Sequence, residues 1–515
     1  MLFRSPVVRF FSRILNRVTI TVVLVALQLL WLCWVAFAIT TGTGRVWVNG
    51  LLNALSLLIV LYLVRKDENS AYKVGWIALI GILPLLGGAL YLAFGNKRPA
   101  KRLRLKMQAV EDAHKKDLVQ EPGVLEGLDA REQGQSRYVA KYGPYPAWQN
   151  TRTQYFACGE AMYPQLLADL EKAEKSIFLE FFIVSHGCMW NGIEKILRRK
   201  AAQGVDVRLI YDDFGSLLGL PADFIVRMER AHIRCIPFNP VMPLLSLVMN
   251  HRDHRKIAVI DGRVGFTGGV NLADEYINHI QKHGRWKDAA VMLEGEAVRS
   301  LTAQFLQMWG ILKEPEYEQF LTRPIPVPEN AKGVAAPYGD CPLDGERVGE
   351  MVYIDLLNRA RDYIHIMTPY LILDGELETA LKFAAERGVD VHLILPGKPD
   401  KQFPYALAKS HYSALLDSGV KISEWSPGFV HAKVFVVDDR EAVVGTINLD
   451  YRSLYHHFED AVWMADAPCI RDIEQDFQHT LEQCRTVENT SASIWQKHYL
   501  LRATGMLLKV IAPLL

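Results

Sequence analysis

The sequence has almost no excess charge of either sign. Its 58 lysines and arginines face 57 aspartates and glutamates, so the formal net charge is only +1. A protein that binds nucleic acid through the phosphates usually carries a strong positive field. The composition therefore gives no support to a nucleic-acid-binding function, and we predict no nucleic-acid partner.

Cysteine is also scarce, and its seven copies are scattered singly along the chain. Neither a CxxC pair nor an even number of cysteines is present, so the sequence offers neither a recognisable zinc site nor a disulfide framework. Isolated thiols are typical of proteins in a reducing compartment. No cluster with metal-ligand spacing accompanies the polar motifs described below, so we predict no metal and no cofactor.

Long apolar runs, in contrast, are concentrated in the first hundred residues. Three of them, 18–39, 46–64 and 74–94, are each close to the ~20 residues that cross a bilayer as a helix. A cleaved signal peptide is the alternative for the first run, but this run exceeds the usual apolar core of about 7–15 residues. We therefore predict a membrane anchor over residues 1–96, built from N-terminal transmembrane helices.

The basic residues that flank these runs bear on the orientation of the chain. Three full crossings would leave seven basic residues on each side, so the positive-inside rule gives no orientation. Two crossings break the tie, whether the third run re-enters or the first lies on the surface, and both arrangements place the rest of the chain in the cytoplasm. Gly81, Pro84, Gly87 and Gly88 suit the third run to a re-entrant element. We predict a multi-pass protein of the cell membrane with a cytoplasmic catalytic part, the number of crossings remaining open.

The rest of the 515-residue chain is long enough for further domains, and its pattern is duplicated. Residues 97–150 mix charges with glycine and proline and are interpreted as a connector. Beyond them helices and strands alternate, and Gly204–Tyr211 (GVDVRLIY) returns almost unchanged as Gly388–Leu395 (GVDVHLIL). The repeat predicts an α/β fold with two duplicated lobes, residues 151–330 and 331–515.

Each lobe contains one copy of a short polar motif. In both copies the offsets from the histidine are the same: lysine at two, aspartate at seven, glycine at fourteen and asparagine at seventeen. A single His-x-Lys has no predictive value, but agreement at five positions in two repeats is specific. The residues are His254, Lys256, Asp261, Gly268 and Asn271 in the first lobe, and His431, Lys433, Asp438, Gly445 and Asn448 in the second.

These residue types suit the cleavage of a phosphodiester. Histidine and lysine lie two apart in a strand-like run and therefore share one face of it. Of two imidazoles in one site, one can attack phosphorus and become phosphorylated while the other protonates the departing alcohol. Lysine and asparagine side chains around the phosphate would offset the charge on its oxygens. We predict that both histidines serve one active site.

Carboxylates enter this hypothesis in two ways. Asp288 and Glu459 occupy corresponding places in the two lobes and are candidates for holding each histidine in its tautomer, with a structural ion pair or cap as the alternative. Asp261 and Asp438 belong to the motif, but each follows a strand at a turn. For these two, fixing the loop is at least as good an interpretation as a chemical role.

The two HxKxxxxD motifs resemble those of the phospholipase D superfamily, and their surroundings resemble bacterial cardiolipin synthases. The similar stretches are NHRDHRKIAVIDGRVGFTGGVNLADEY, FVHAKVFVVDDREAVVGTINLDYRSL and the apolar ILPLLGGALYLAFG. The resemblance implies two phospholipase D-like lobes with one active site, in which two phosphatidylglycerols give cardiolipin and glycerol through a phosphatidyl-histidine. It also implies the catalytic set His254, Lys256, Asp261, His431, Lys433 and Asp438. Within this set it favours His254 as the nucleophile, with the choice between the two histidines left open.

Two further apolar stretches suit a lipid substrate such as phosphatidylglycerol. Ile236–Met249 precedes the first motif, and Tyr499–Leu515 forms the tail. Each is interpreted as a lipid-facing or membrane-surface segment, with ordinary core packing as an equal alternative.

Three rival functions remain open from the sequence. The motifs fix the first half-reaction but not the acceptor, so a phospholipase that uses water or another alcohol is possible. A nuclease of the same superfamily would need a basic groove and would leave the apolar runs unexplained. A catalytically silent membrane scaffold is disfavoured by the intact motifs. The sequence gives no indication of the oligomeric state.

Overall fold

The computed structural model describes most of the chain after residue 45. The described residues are 26, 30–31, 33–34, 37, 45–66, 69–83, 87–88, 90–92, 101–241, 251–313, 318–488 and 508–509. By their contacts they divide into a small unit, drawn mainly from residues before 101, and a large unit of residues 101–238 and 252–509. Parts of the predicted apolar segments lie outside the described residues, namely most of 18–39, several positions of 74–94, residues 242–250 and most of the tail 499–515.

The small unit contains two apolar helices, α1 (Arg45–Arg65) and α2 (Ser70–Ile82). Trp76 of α2 packs edge-on against Tyr91, with 5.4 Å between the ring centroids. Several leucines of α1 are exposed. Among the residues that the structure describes, no helix is both long and apolar enough to cross a membrane, so the predicted N-terminal transmembrane helices are not confirmed.

The large unit begins with three helices in the region that we interpret as a connector. They are α3 (Lys101–His114), α4 (Pro122–Glu126) and α5 (Ala130–Tyr142). Helix α5 begins with a capping box, in which Asp129 accepts hydrogen bonds from backbone amides of the first turn while Glu132 accepts one from the Asp129 amide. The boundaries predicted for anchor, connector and lobes stay predictions.

The first lobe is a mixed sheet with flanking helices. Its strands are β1 Thr151–Phe156, β2 Ser176–Phe181, β3 Asp206–Asp212, β4 Arg234–Phe238, β6 Lys256–Ile260, β7 Val264–Gly268 and β9 Ala290–Gly295. The helices are α6 Gly159–Lys172, α7 Cys188–Ala202, α8 Phe224–Glu229, α9 Val298–Leu312 and α10 Glu318–Leu321. The strands lie in the order β1-β9-β7-β6-β2-β3-β4. Every residue of the central strand β2 is buried, which explains why its sequence is mostly apolar.

The second lobe repeats this plan. Its strands are β10 Val334–Asp340, β11 Tyr363–Met367, β12 Asp390–Pro396, β13 Lys421–Trp425, β15 Val434–Val437, β16 Glu441–Gly445, β17 His457–Ala465 and β18 Cys484–Thr486. The helices are α11 Val348–Arg359, α12 Gly375–Glu386, α13 Gln402–Asp417, α14 Tyr451–Tyr455 and α15 Ile470–Leu481. The order β10-β17-β16-β15-β11-β12-β13-β18 matches that of the first sheet, with β18 added at the edge. The predicted duplicated α/β fold is confirmed.

The two lobes exchange short strands where they meet. Strand β5 (Arg252–Asp253) of the first lobe pairs in parallel with the start of β17 in the second. Reciprocally, β14 (Gly428–Val430) of the second lobe pairs in parallel with β8 (Arg285–Lys287) of the first. Because β5 and β14 immediately precede the two motif histidines, each histidine lies against a strand of the opposite lobe.

Candidate active site

The exchanged strands position both motif histidines through their backbones. The amide of His254 donates a hydrogen bond to the carbonyl of Phe458, at 2.8 Å, and that of His431 donates to the carbonyl of Lys287, at 2.6 Å. Phe458 and Lys287 each precede one of the predicted carboxylates. The register therefore places each imidazole beside the carboxylate of the other lobe.

The side chains complete these two pairs. Nδ1 of His254 lies 2.8 Å from Oε2 of Glu459, and Nδ1 of His431 lies 2.7 Å from Oδ2 of Asp288. Both carboxylates are fully buried. A carboxylate at Nδ1 accepts the proton of that nitrogen, which leaves the lone pair of Nε2 available for attack on phosphorus or for proton transfer.

The charges of the two pairs follow from burial and from the pairing. Burial lowers the pKa of His254 to about 3 and that of His431 to about 4, although the paired carboxylates oppose the shift. Burial would raise the pKa of Glu459, but His254 and the neighbouring His457 hold it well below its usual range. The pKa of Asp288 is likewise lowered against burial, chiefly by His431. At neutral pH the pairs therefore consist of neutral imidazoles and ionised carboxylates.

The two motif lysines lie next to the histidines. Nζ of Lys256 donates to the carbonyl of His254, at 2.5 Å, and Nζ of Lys433 donates to the carbonyl of His431, also at 2.5 Å. Burial lowers the pKa of Lys256 to about 8 and that of Lys433 to about 7, with nearby carboxylates opposing the shift. The positive charge of Lys256 also lowers the pKa of Lys433, so the two motifs share one electrostatic environment. A phosphate anion between them would stabilise both positive charges.

The motif glycines and their neighbour Gly269 allow the backbone to pass close to adjacent strands. At Gly269, which follows the motif glycine Gly268, a Cβ would lie 1.9 Å from Oδ1 of Asp288. Gly268 has a φ of +146°, and a Cβ there would lie 2.4 Å from the carbonyl oxygen of Ala289. At Gly445 a Cβ would lie 2.4 Å from the Cβ of Ala461. Only glycine lets these chains pass so close to the strands that carry the carboxylates.

The two motif asparagines are buried but bonded differently. Oδ1 of Asn271 accepts from the amide of Ile183, and Nδ2 donates to the hydroxyl of Tyr276. Oδ1 of Asn448 is buried and has no hydrogen-bond partner among the described residues. The first asparagine thus fixes the loop beside Tyr276, whose ring centroid lies 5.4 Å from that of His431.

The structure does not bring the two motif aspartates to the histidines. The carboxylate of Asp261 accepts hydrogen bonds from the amides of Glu174, Lys175 and Ser176 at the start of β2. Lys256 pairs instead with Phe181 at the far end of that strand, about 16 Å away at ~3.3 Å per residue. The carboxylate of Asp438 makes the same contacts with the amides of residues 361–363. These contacts fix the turn that begins each central strand, the alternative that the sequence left open.

The sequence reasoning missed a difference between the two halves of the site. Trp286 lies beside His431, with 5.2 Å between ring centroids, whereas the corresponding residue beside His254 is His457, at 5.4 Å. Nδ1 of His457 lies 3.5 Å from Oε1 of Glu459. Aligning WKDAAV with HFEDAV would have revealed this substitution, since both residues precede the carboxylate by two.

Two further side chains near the site were also missed. Thr446, which corresponds to Gly269, donates its hydroxyl hydrogen to Oε2 of Glu459. Asp460 accepts from the amide of Lys256, at 3.2 Å, and from the hydroxyl of Thr267, at 2.5 Å, so it links the lobes. Burial raises the pKa of Asp460 to about 7. Its counterpart in the first lobe is Ala289, so the duplication gave no signal for it.

Among the described residues, two groups have ligand atoms close enough to share a metal ion. One consists of His254, His457 and Glu459, and the other of Glu350, Asp374 and Glu376. In the first group, the described contacts of His254 and Glu459 already pair these two side chains with each other. Metal-independent catalysis stays a prediction.

The duplicated lobes with exchanged histidine–carboxylate pairs define the class of phospholipase D-like proteins. A family model described as "Cardiolipin synthase, PLD-like domain" matches residues 166–309 and 353–481, and one described as "Phospholipase_D-nuclease N-terminal" matches residues 52–96. The chain belongs to the cardiolipin synthase family of phospholipase D-like proteins. This membership confirms the expectation of an enzyme of the phosphatidyltransferase type.

Individual relatives agree with this assignment. A cardiolipin synthase of Geobacillus kaustophilus is 34% identical over 514 residues, which cover 97% of this chain and 99% of the relative. An uncharacterized protein of Streptococcus mutans is 47% identical over 465 residues, covering 88% and 99%. The crystal structure of phosphatidylserine synthase from Haemophilus influenzae is similar in fold, with a TM-score of 0.55, 15% identity, and coverage of 73% of this chain and 99% of that one.

Proposed function

We propose that this enzyme transfers a phosphatidyl group between two phosphatidylglycerol molecules and so produces cardiolipin and glycerol. The observation that carries the proposal is the pair of buried imidazoles, each held at Nδ1 by a carboxylate of the opposite lobe. The family membership supports a lipid phosphodiester as the substrate. Lys256 and Lys433 supply the positive charge that such an anion requires.

In the first half-reaction, Nε2 of His254 attacks the phosphorus of one phosphatidylglycerol. A P–N bond forms while the bond from phosphorus to the glycerol oxygen breaks. That oxygen takes a proton from the imidazolium of His431, and glycerol leaves. The bound phosphodiester anion raises the pKa of His431 from its low value in the empty site, which allows His431 to carry this proton.

In the second half-reaction, the terminal hydroxyl of another phosphatidylglycerol attacks the same phosphorus. His431 removes the hydroxyl proton, the P–N bond to His254 breaks, and cardiolipin is released. The assignment of His254 as nucleophile rests on the resemblance of its motif to the superfamily, because both histidines have equivalent carboxylate partners. Trapping of a covalent lipid adduct on His431 alone would reverse the two roles.

Product analysis tests this function directly. The purified full chain is incubated with labelled phosphatidylglycerol, and the products are identified by mass spectrometry. Cardiolipin plus glycerol is the expected outcome, whereas phosphatidic acid would identify a hydrolase. His254→Ala and His431→Ala are each expected to abolish turnover. The exposed His479 provides the matched control, since His479→Ala removes an imidazole from the surface of α15 without touching the site.

We also propose that the N-terminal apolar segments attach the enzyme to the cell membrane, with the catalytic lobes on the cytoplasmic side. The exposed leucines of α1 support this attachment, since Leu51, Leu58 and Leu61 are 72%, 63% and 56% exposed. Cysteine-labelling or glycosylation reporters placed after residue 101 measure the side on which the lobes lie. Modification of those reporters from the outer face would contradict the cytoplasmic location.

A further inference from the structure

Three segments of the large unit approach the two histidines, either directly or through one or two intervening side chains. They are residues 212–220, 273–285 and 396–403, which we call the rim. In the first segment, the backbone at Gly215 lies against Phe182, whose ring centroid is 5.0 Å from that of His254. In the second, the ring centroid of Tyr276 is 5.4 Å from that of His431.

The third segment reaches His431 through two aromatic side chains. Asp400 accepts a hydrogen bond from the hydroxyl of Tyr370, at 2.8 Å. The ring centroid of Tyr370 lies 6.2 Å from that of Phe429, which in turn lies 6.1 Å from that of His431. Lys398 also contacts the strand exchange, because its amide donates to the carbonyl of Gly428. All three rim segments are therefore anchored beside the reaction centre.

Each rim segment also exposes a large apolar side chain. Leu218 is 85% exposed, Phe403 65%, Phe214 54% and Ile280 42%. Exposed leucine and phenylalanine are common singly, but a group of them on segments that flank one pair of histidines indicates a binding surface. The ring of Phe214 also lies under the guanidinium of Arg252, at 5.4 Å, which fixes its position beside strand β5.

The basic side chains of the rim are exposed, whereas its acidic side chains are not. Lys282, Arg285, Lys398 and Lys401 are exposed, and none of them forms an ion pair with another described residue. The acidic side chains of the same segments are buried or half-buried, as in Asp400. The outward surface of the rim is therefore basic and apolar together, the combination that binds the interface of an anionic membrane.

We propose that the rim rests on the surface of a bilayer that contains anionic phospholipid. The apolar side chains enter the interface and the four basic side chains bind lipid phosphates, so the reaction centre opens onto the bilayer. The inference rests on the proposed function, since it supplies the route by which a lipid phosphodiester reaches the two histidines. It extends that function by naming the surface that engages the membrane beside the site.

The experiment compares substrate at an interface with substrate in solution. The full chain is assayed with long-chain phosphatidylglycerol in mixed micelles of neutral detergent, at varied surface fraction, and with short-chain phosphatidylglycerol below its micellar concentration. The variants are Leu218→Ser, Phe403→Ser and Lys401→Glu. Phe383→Ser and Lys175→Glu are the matched controls, because Phe383 is 54% exposed near the end of α12 and Lys175 lies exposed just before β2, at the opposite end of that strand from Lys256.

We expect each rim variant to raise the interfacial KM about tenfold in micelles, with kcat and the rate toward short-chain substrate unchanged. The control variants should match the wild type in both assays. Equal behaviour of rim and control variants in micelles would overturn the proposal, as would an equal loss toward short-chain substrate. An unchanged micellar KM together with capture of a protein partner by the rim would also overturn it. Release of phosphatidic acid by the wild type would instead overturn only the proposed acceptor, because the KM comparison remains readable.

Discussion

The two carboxylates that hold the histidines are predicted to respond differently to the same chemical change. Oδ1 of Asp288 accepts from the amide of Ala289, at 2.9 Å, and Oδ2 accepts from Nδ1 of His431, at 2.7 Å, with the indole nitrogen of Trp286 at 3.4 Å. Each of these three groups donates a hydrogen bond to the Asp288 carboxylate. In Asp288→Asn only one side-chain oxygen remains to accept hydrogen bonds from the Ala289 amide and from Nδ1 of His431. The new amide nitrogen, in the place of the other oxygen, faces a donor instead of an acceptor.

The structure decides how this conflict is resolved. A buried donor without an acceptor costs about 1–3 kcal/mol, so we expect the oxygen to stay on the amide of Ala289 and the new NH2 group to face His431. The imidazole then accepts at Nδ1 and carries its proton on Nε2, which removes the lone pair that the reaction uses. Loss of the working tautomer lowers kcat by about 10³-fold or more in comparable catalytic sites.

Glu459→Gln lacks this conflict. The amide oxygen can remain at the position of Oε2, where it accepts from His254, while the nitrogen faces Nδ1 of His457, which lies 3.5 Å from Oε1. The tautomer is retained and only the charge is lost, so we expect a fall of about 10–100-fold. In the double variant His457→Trp and Glu459→Gln, the loss should approach that of Asp288→Asn.

Cardiolipin formation from phosphatidylglycerol in mixed micelles, followed by mass spectrometry, measures all three variants. Thermal unfolding checks that each variant is folded, so that a loss of rate is not a loss of protein. A loss in Glu459→Gln equal to or greater than that in Asp288→Asn would refute the reasoning from donor and acceptor positions. An unchanged rate in both would remove the carboxylates from the mechanism.

Three other predictions concern stability and packing. Asp261→Ala and Asp438→Ala should each lower the free energy of unfolding by about 1–3 kcal/mol while kcat stays near that of the wild type, as thermal melting and rate measurements will show. Gly269→Ala should reduce kcat about 100-fold because its Cβ would displace Asp288, whereas Gly375→Ala, which meets open space, should leave the rate unchanged. The two motif histidines, His254 and His431, have a pKa near 6.5 in the unfolded chain, but in the folded protein their pKa values are about 3 and 4. The unfolded state therefore binds more protons below pH 6.5, and urea unfolding should show stability falling toward pH 4 by up to about 1.4 kcal/mol per unit for each histidine.

The repeated architecture was predictable because both lobes carry the same local signals. The amphipathic helical patterns before Gly204 and Gly388 both end at these glycines, and the strands that follow are nearly identical in sequence. Asp288 and Glu459 could be chosen by position alone, and the structure places both at Nδ1 of a histidine. Their functional roles stay predictions, since geometry gives proximity and not chemistry.

The exchange between the lobes could not be predicted from the pattern of the sequence. Strands β5 and β14 span only Arg252–Asp253 and Gly428–Val430, too short to show a periodicity. An alternation of period two also predicts the face of the strand on which a side chain lies, but not the neighbouring strand with which that strand pairs. The sequence likewise left open whether the Asp261 side chain contacts the reacting groups or only fixes a turn, because the answer depends on the length of β6, which separates Asp261 from His254.

The crossed pairing has a consequence for when the enzyme becomes competent during synthesis. Glu459, the partner of the first histidine, is made some two hundred residues after it, at a sequence separation of 205. A nascent chain that has completed only its first lobe therefore lacks the carboxylate partner of His254, and one that ends between residues 431 and 459 has the residues of only one of the two histidine–carboxylate pairs. Under the proposed mechanism such a polypeptide could not complete the reaction, because both histidine–carboxylate pairs are present only when the final third of the molecule is in place.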